Sequence, residues 1–152
     1  MLVLEKGRYR ARIAETPDDV AAAQTLRHDC FGLNHSNGLD KDAFDDLCEH
    51  MLVEDLKTSN LVCCYRIMHL SSGDDITRSY SAQYYNLSAL QSYKGELVEI
   101  GRFCSDPKCN DPDVLRIAWG ALTQYVDDND VSLLFGCASF HGTDQDAYRD
   151  SF

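Results

Sequence analysis

The stretch LVEIGRFCSDPKCNDPDVLRIAWGALTQYVDDNDVSLLFGCASF, residues 97–140, decides the fold. Leu97, Val98 and Ile100 open it as a buried strand. Residues 110–130 then form the clearest helix of the chain. Asp111 suits its N-cap, Pro112 its first turn, and Leu115, Ala118, Trp119, Leu122, Tyr125 and Val126 fall on one apolar stripe. VSLLFGCASF (131–140) reads as a second buried strand. Strand, helix, strand in that order is a βαβ unit whose two strands lie parallel. Glu99 and Arg102 interrupt the first strand, where a sheet interior takes Val or Ile, and the functional reading turns on them.

Working outward, RYRARIA (8–14) alternates strictly. Arg8, Arg10 and Arg12 share one face and Tyr9, Ala11 and Ile13 the other, as in a strand with one wet side. TPDDVAAAQTLRHDCF (16–31) starts a helix, with Thr16 to cap it, Pro17 in its first turn, and Asp18 and Asp19 at the positive end of its dipole. Val20, Ala23, Leu26 or Arg27, and Cys30 follow helical spacing, and GLNHSNG (32–38) ends it. LDKDAFDDLCEH (39–50) is acidic, a loop or a short helix. HMLVED (50–55) and LVCCYRIMHL (61–70) read as an antiparallel hairpin joined by LKTSN, and residues 71–95 as mostly irregular. TDQDAYRDSF (143–152) looks like the beginning of another helix. The expected architecture is one α/β domain over 1–152, a mixed sheet with helices packed on it.

The formal net charge of -11 disfavours nucleic acid as a partner, because phosphate binding relies on clustered Lys and Arg. No segment approaches the roughly 20 apolar residues of a membrane span. MLVLEKGRYR (1–10) lacks a signal-peptide pattern, so a cytoplasmic protein is expected. The seven cysteines are odd in number and form no C-x-x-C. Cys48 and His50 make a ligand-like pair, but no second pair has suitable spacing, so neither a disulfide framework nor a metal site is expected. Most of the cysteines read as small buried hydrophobes.

Glu99 and Arg102 admit two readings. Near the end of a strand they can form a structural ion pair or reach a wet edge. In a regular strand, however, they would point to opposite faces. Gly101 is a natural bulge position, and a bulge would bring both to one side and free a backbone N–H. A carboxylate, a guanidinium and a free N–H at a strand rim suit acyl transfer. The carboxylate can take a proton from an attacking amine, directly or through water, and the N–H can bind a developing oxyanion. Cys104 lies beside them, but no His is sequence-linked to it as a base, and it reads as a packed thiol.

Five stretches, GRYRARIAETPDDVAAAQTLRHDCF, LDKDAFDDLCEHMLVED, YSAQYYNLSAL, ELVEIGRFCSDP and LLFGCASFHGTD, together carry a resemblance that covers nearly the whole chain. The sequence resembles the acyl-carrier-protein-dependent acyltransferases of the GNAT-like superfamily, in particular the L-ornithine N-alpha-acyltransferases of the ornithine lipid pathway. It is similar, more distantly, to the acyl-homoserine lactone (autoinducer) synthases. The shared features are E-x-x-R-F at Glu99–Phe103, Arg27 and Phe31 four apart on the first helix, and acidic residues just before the second strand. The resemblance implies a GNAT-like mixed sheet flanked by helices. It also implies transfer of a fatty acyl group, 3-hydroxyacyl for preference, from acyl carrier protein to the alpha-amine of ornithine, by direct attack on the phosphopantetheine thioester and with no metal or redox cofactor. The implied site is a cluster of Arg27, Asp42, Asp45, Glu99 and Arg102. Asp42 and Asp45 would hold a cationic amino acid, and Arg27 and Arg102 would fix the acidic groups or the acceptor's carboxylate. Glu99 would act as general base or position a base water, while Phe31 and Phe103 would complete the substrate site. On composition alone Asp42 and Asp45 read equally as a solvated acidic run.

The chain departs from this pattern in two places. CoA-using members of the superfamily carry a Gly-rich pyrophosphate loop ahead of the long helix. Here CSDPKCNDPDVLRIA (104–118) has no glycine, and Asp111 and Asp113 would repel a diphosphate. A phosphopantetheine arm has one phosphodiester and asks less, which favours a carrier-bound donor. An acidic carrier needs a local basic patch, for which Lys108 and Arg116 are expected. Lys6, Arg8, Arg10 and Arg12, read as one strand face, serve rather to protect an edge. Relatives of the family continue past FGCASFHGTD, so the sheet is expected to lack its C-terminal strands. Its last strand would then be an apolar edge that invites a second copy. A lipid product further implies peripheral membrane contact. Two rival functions remain: an autoinducer synthase consuming S-adenosylmethionine, and a non-enzymatic remnant that only binds the carrier protein or self-associates.

Overall fold

Six strands lie side by side in chain order in a computed structural model that describes residues 2–32, 37–138, 146 and 149. They are β1 (Val3–Lys6), β2 (Tyr9–Ile13), β3 (Glu49–Asp55), β4 (Asn60–Leu70), β5 (Glu96–Ser105) and β6 (Val131–Gly136). β1 to β5 are antiparallel, and β6 returns parallel to β5 through helix α2 (Pro112–Asp128), as the βαβ reading requires. Helix α1 (Pro17–Phe31) connects β2 to the acidic segment before β3. Short 3₁₀ turns at Gly73–Arg78, Ser81–Gln83 and Ser88–Leu90 punctuate the segment expected to be irregular. Among the described residues no helix is long and apolar enough to cross a membrane. The helix expected over 143–152 and the end of the strand expected over 131–140 lie outside the described residues.

Strand parity divides the sheet into two faces. One carries Tyr9, Ala11, Met51, Val53, Cys63, Tyr65, Ile67 and Val98, and α2 covers it with Val114, Ile117, Ala118, Ala121, Leu122 and Tyr125. The other face is mixed. Leu52, Cys64 and Cys104 pack under Ala23 of α1, while Met68, Leu70 and Leu97 pack under Ile76 of the 3₁₀ segment. Between those two apolar patches lie Arg66 and Glu99.

Three sequence expectations change. β1 was not foreseen: Gly7, at φ 60°, turns the chain so that Lys6 pairs with Tyr9 from a separate strand. Lys6 is therefore not on the arginine strand, and Arg8 sits in the turn. The buried face of α2 is rotated from the expected stripe, leaving Leu115 and Trp119 exposed. The helix has apolar residues on more than half its circumference, and the sheet selects the arc that includes the small Ala118 and Ala121. β6 is not buried throughout; its burial alternates and Leu134 is exposed.

Both ends of α1 are fixed locally. Thr16 Oγ1 accepts from Asp19 N and Asp19 Oδ2 accepts from Thr16 N, a reciprocal cap, and Gly32 closes the other end at φ 61°. The face that α1 buries includes Gln24 and Arg27, an unusual choice that the site explains.

Candidate active site

Arg27 is fully buried, so its charge needs partners. It finds them in the acidic segment. Nε donates to Asp40 Oδ2 at 2.9 Å, Nη1 to Asp45 Oδ1 at 2.7 Å, and Nη2 to Asp45 Oδ2 at 3.1 Å and to the Asp40 carbonyl. Asp45 also receives Gln24 Nε2 at 3.0 Å, the Asp42 N–H at 3.2 Å and Arg66 Nη1 at 3.0 Å. Burial alone would raise the Asp45 pKa, but the guanidiniums of Arg27 and Arg66 hold it well below the usual carboxylate range. Asp42 bridges outward, accepting from Arg66 Nη1 at 2.5 Å and from Arg102 Nη2 at 3.3 Å. Arg102 Nε stands 3.1 Å from Asp40 Oδ2. The acidic segment is thus a counter-charge for three arginines rather than a solvated run.

Arg102 reaches this face because β5 is kinked. Arg66 pairs with Gly101 and Cys64 with Cys104, so Arg102 and Phe103 together oppose the single residue Tyr65. This is a bulge, and Arg102 occupies it in the left-handed region at φ 53°. Ile100 and Phe103 therefore both pack toward α2, while Glu99 and Arg102 share the opposite side. The sequence reading placed the kink at Gly101; the structure places the unusual backbone at the following residue.

Glu99 is buried, and its carboxylate holds the segment opposite. Oε2 accepts from Tyr80 N at 2.8 Å, and Oε1 accepts from Ser81 N at 2.7 Å and from Ser81 Oγ at 2.5 Å. A carboxylate offers about four lone-pair sites, so Oε2 retains one. The Tyr80 ring lies 5.3 Å from the Arg102 guanidinium and 5.8 Å from that of Arg66.

Of these groups, Arg66, Tyr80, Glu99 and Arg102 line a groove of about 980 Å³. It opens beside the last pairing of β5 with β6, that of Ile100 with Gly136. A side chain at Gly136 would put Cβ 2.3 Å from the Ile100 carbonyl oxygen, so glycine is what lets the strands meet there. Phe31 and Phe103 both line the groove. Phe103 is stacked between Tyr65 at 5.4 Å and Trp119 at 5.7 Å.

The structure brings Arg27, Asp42, Asp45, Glu99 and Arg102 into one cluster, with Phe31 and Phe103 beside it. Asp45 is consumed by internal partners, whereas Asp42 is partly open. Lys108 and Arg116 lie apart from the groove lining. Both are exposed, and Arg116 is paired with Asp113 at 2.7 Å. The N-terminal arginines are engaged within the fold: Arg8 with Asp55, Arg10 with Glu54, and Arg12 with Glu54 and Asp19. Cys104 packs 3.5 Å from Cys64, and that contact together with burial raises its thiol pKa far above the ordinary value, which unsuits it as a nucleophile. His50 is buried against the Asp45 carbonyl, and burial lowers its pKa. Among the described residues no group of three or more His, Cys, Asp or Glu side chains is placed to hold a metal ion.

Sequence reasoning overlooked Arg66, Asp40, Tyr80 and Ser81. Arg66 carried the same signal as Glu99, a charge inside an apolar strand (LVCCYRIMHL). Asp40 is one of several acids in its segment, and nothing in the sequence separates it from them.

Residues 24–120 match the family model described as an acetyltransferase (GNAT) domain. The chain is 32% identical over 152 residues to the L-ornithine N(alpha)-acyltransferase of Rhodobacter capsulatus, covering 90% of this chain and 58% of that protein. It thus spans little more than half the length of that curated relative. The fold is similar to that of the AHL synthase LasI, with TM-score 0.61 and 18% identity, over 84% of this chain and 71% of that one. It is also similar to FeeM, an N-acyl amino acid synthase from uncultured soil microbes, with TM-score 0.59 and 16% identity, over 84% and 70% of the two chains.

Proposed function

The chain belongs to the acetyltransferase (GNAT) family, and from that premise we propose that it is an N-acyltransferase that moves a fatty acyl group from acyl carrier protein to the alpha-amine of L-ornithine. The observation that carries this reading is the bulge at Arg102, which turns an acid and a guanidinium toward one groove beside the last pairing of two parallel strands. The thioester lies in this groove. The amine attacks its carbonyl carbon directly, and the carrier's thiolate leaves. The remaining lone pair of Glu99 Oε2 receives the amine proton, directly or through one water. Backbone N–H groups released by the bulge face the developing oxyanion. Arg102, held by Asp42, sits on the acceptor side of the groove. Similarity to the L-ornithine N(alpha)-acyltransferase of Rhodobacter capsulatus supports ornithine as acceptor, and the aromatic walls suit an acyl chain.

The test is to incubate the chain with 3-hydroxyacyl carrier protein and ornithine and to look for the acylated product by mass. S-adenosylmethionine is offered in parallel as the acceptor of the rival autoinducer reaction. Acyl transfer to ornithine is expected, and Glu99→Gln is expected to slow it by about 100-fold or more, the lower end of general-base contributions. Consumption of S-adenosylmethionine without ornithine acylation would reject the acceptor, and carrier binding without transfer to any amine would reject the enzyme.

Lys108 and Arg116 are the carrier contact in this reading, because the N-terminal arginines are internally paired. Lys108→Glu is expected to raise the apparent KM for the acyl carrier several-fold, about 1 kcal/mol for one charge pair, and to leave the KM for ornithine unchanged. An unchanged carrier KM would move the docking surface elsewhere.

A further inference from the structure

Three arginines meet in the cluster, and they are not used alike. Arg27 has every nitrogen engaged with Asp40 or Asp45. Arg102 donates Nη2 to Asp42 and stands with Nε 3.1 Å from Asp40 Oδ2, although that Nε makes no hydrogen bond. Arg66 differs. Its Nη1 alone serves both Asp42 and Asp45. Its Nε is buried with no hydrogen-bond partner, and among the described residues no hydrogen bond reaches its Nη2.

Nε and Nη2 form the flat edge of a guanidinium, the side that grips a carboxylate with two parallel bonds. This protein uses that edge three times elsewhere, Arg8 on Asp55, and Arg10 and Arg12 each with both nitrogens on Glu54. On Arg66 the edge meets no acceptor among the described residues. The residue is 3% exposed, lines the groove, and is held in place from two sides. Asp42 and Asp45 fix its Nη1, and the rings of Phe44 and Tyr80 flank the guanidinium at 5.9 and 5.8 Å. An oriented donor edge whose Nε is buried without a partner is a costly arrangement unless a ligand completes it.

Resting on the amine-acylation reading above, we propose that the Nε–Nη2 edge of Arg66 seats the acceptor's carboxylate. The site therefore selects α-amino acids with a free carboxylate over amines that lack one. This reassigns to Arg66 the role that the sequence resemblance gave to Arg27 or Arg102. The charge balance agrees. Arg27, Arg66 and Arg102 stand against Asp40, Asp42, Asp45 and Glu99, leaving one formal negative charge. An amino acid with two amines and one carboxylate carries one net positive charge and neutralises it. With the carboxylate on Arg66, the acceptor's α-amine lies one carbon away, on the side of the groove that Glu99 lines.

The test uses the unmodified chain, so it does not depend on a variant that folds. Binding of L-ornithine, L-ornithinamide and 1,4-diaminobutane is measured by calorimetry, and acyl transfer to each is followed by mass. Ornithine is expected to bind about 10–100-fold more tightly than the other two, the range for hydrogen bonds to a charged group. Arg66→Lys, which keeps the charge but removes the fork, is expected to erase that preference without raising the KM for the acyl donor. Ornithine bound no better than its amide, or an effect of Arg66→Lys on the donor alone, would overturn the proposal. A chain that prefers ornithine to the amide but acylates neither would instead retain the carboxylate seat and remove the transferase reading.

Discussion

Asp45 shows how a single residue fixes the site. Its carboxylate is the shared partner of Arg27 and Arg66, two guanidiniums that the fold has taken out of water. Such pairs add little stability when intact but are expensive to break, because removal of one partner strands the other's charge. Asp45→Ala is expected to lower the unfolding free energy by about 3–5 kcal/mol in urea denaturation. The pH dependence follows from the same residue. The Asp45 carboxyl titrates below its unfolded value because the arginines outweigh its burial, and Asp19 is lowered likewise by Arg12. A depressed folded pKa contributes stability above the unfolded value, near pH 4, and loses it progressively as pH falls further. The acid limb of a stability–pH profile should therefore be steep for the native chain and shallower for Asp45→Ala; parallel limbs would remove Asp45 from the account. What was legible at this scale was charge in the wrong place. Glu99 and Arg102 stood out inside an apolar strand, and Arg66 gave the same signal. Tyr80 and Ser81 could not stand out, because they meet Glu99 mainly through backbone N–H groups, which every residue has except proline.

Among the elements, the junction of β5 and β6 does most to shape the groove. The last paired residues of the two strands are Ile100 and Gly136. A methyl group at residue 136 would stand only 2.3 Å from the Ile100 carbonyl oxygen, so Gly136→Ala must push β6 off the ladder at its last rung. The expected loss is about 1–3 kcal/mol, the usual cost of overpacking, with a weaker KM for the acyl donor and an unchanged KM for the acceptor. A variant as stable and active as the parent would show that the rung is not needed. Element order and the direction of β6 were readable from periodicity and from the handedness of βαβ units. The position of the bulge was not. Gly101 is the residue that tolerates unusual backbone most cheaply, yet Arg102 adopts it, because only there do its side-chain contacts with Asp40 and Asp42 offset the strain. The face of α2 was likewise open, since its sequence offers two overlapping apolar arcs. The exposed one carries Trp119, whose ring stacks on Phe103 at the groove.

At the scale of the molecule, the two outer strands of the described sheet are unlike. β1 (VLEK) carries Glu5 and Lys6, charges of the kind that discourage edge pairing. β6 (VSLLFG) carries none, and Leu134 at its middle is 46% exposed. A net charge of -11 opposes association at long range, but that repulsion is screened beyond about 8 Å at physiological salt. Backbone pairing and apolar contact at the edge act inside that distance. The 152-residue chain is therefore expected to self-associate through β6, more strongly as salt is raised. Sedimentation velocity over a range of concentration and salt reads this directly. Leu134→Lys places a charge at the centre of the edge and is expected to return the chain to monomer, with its thermal unfolding little changed because the side chain is already half in water. A native chain that stays monomeric at every salt concentration, or a Leu134→Lys variant that associates as the native does, would show that β6 is not a pairing edge.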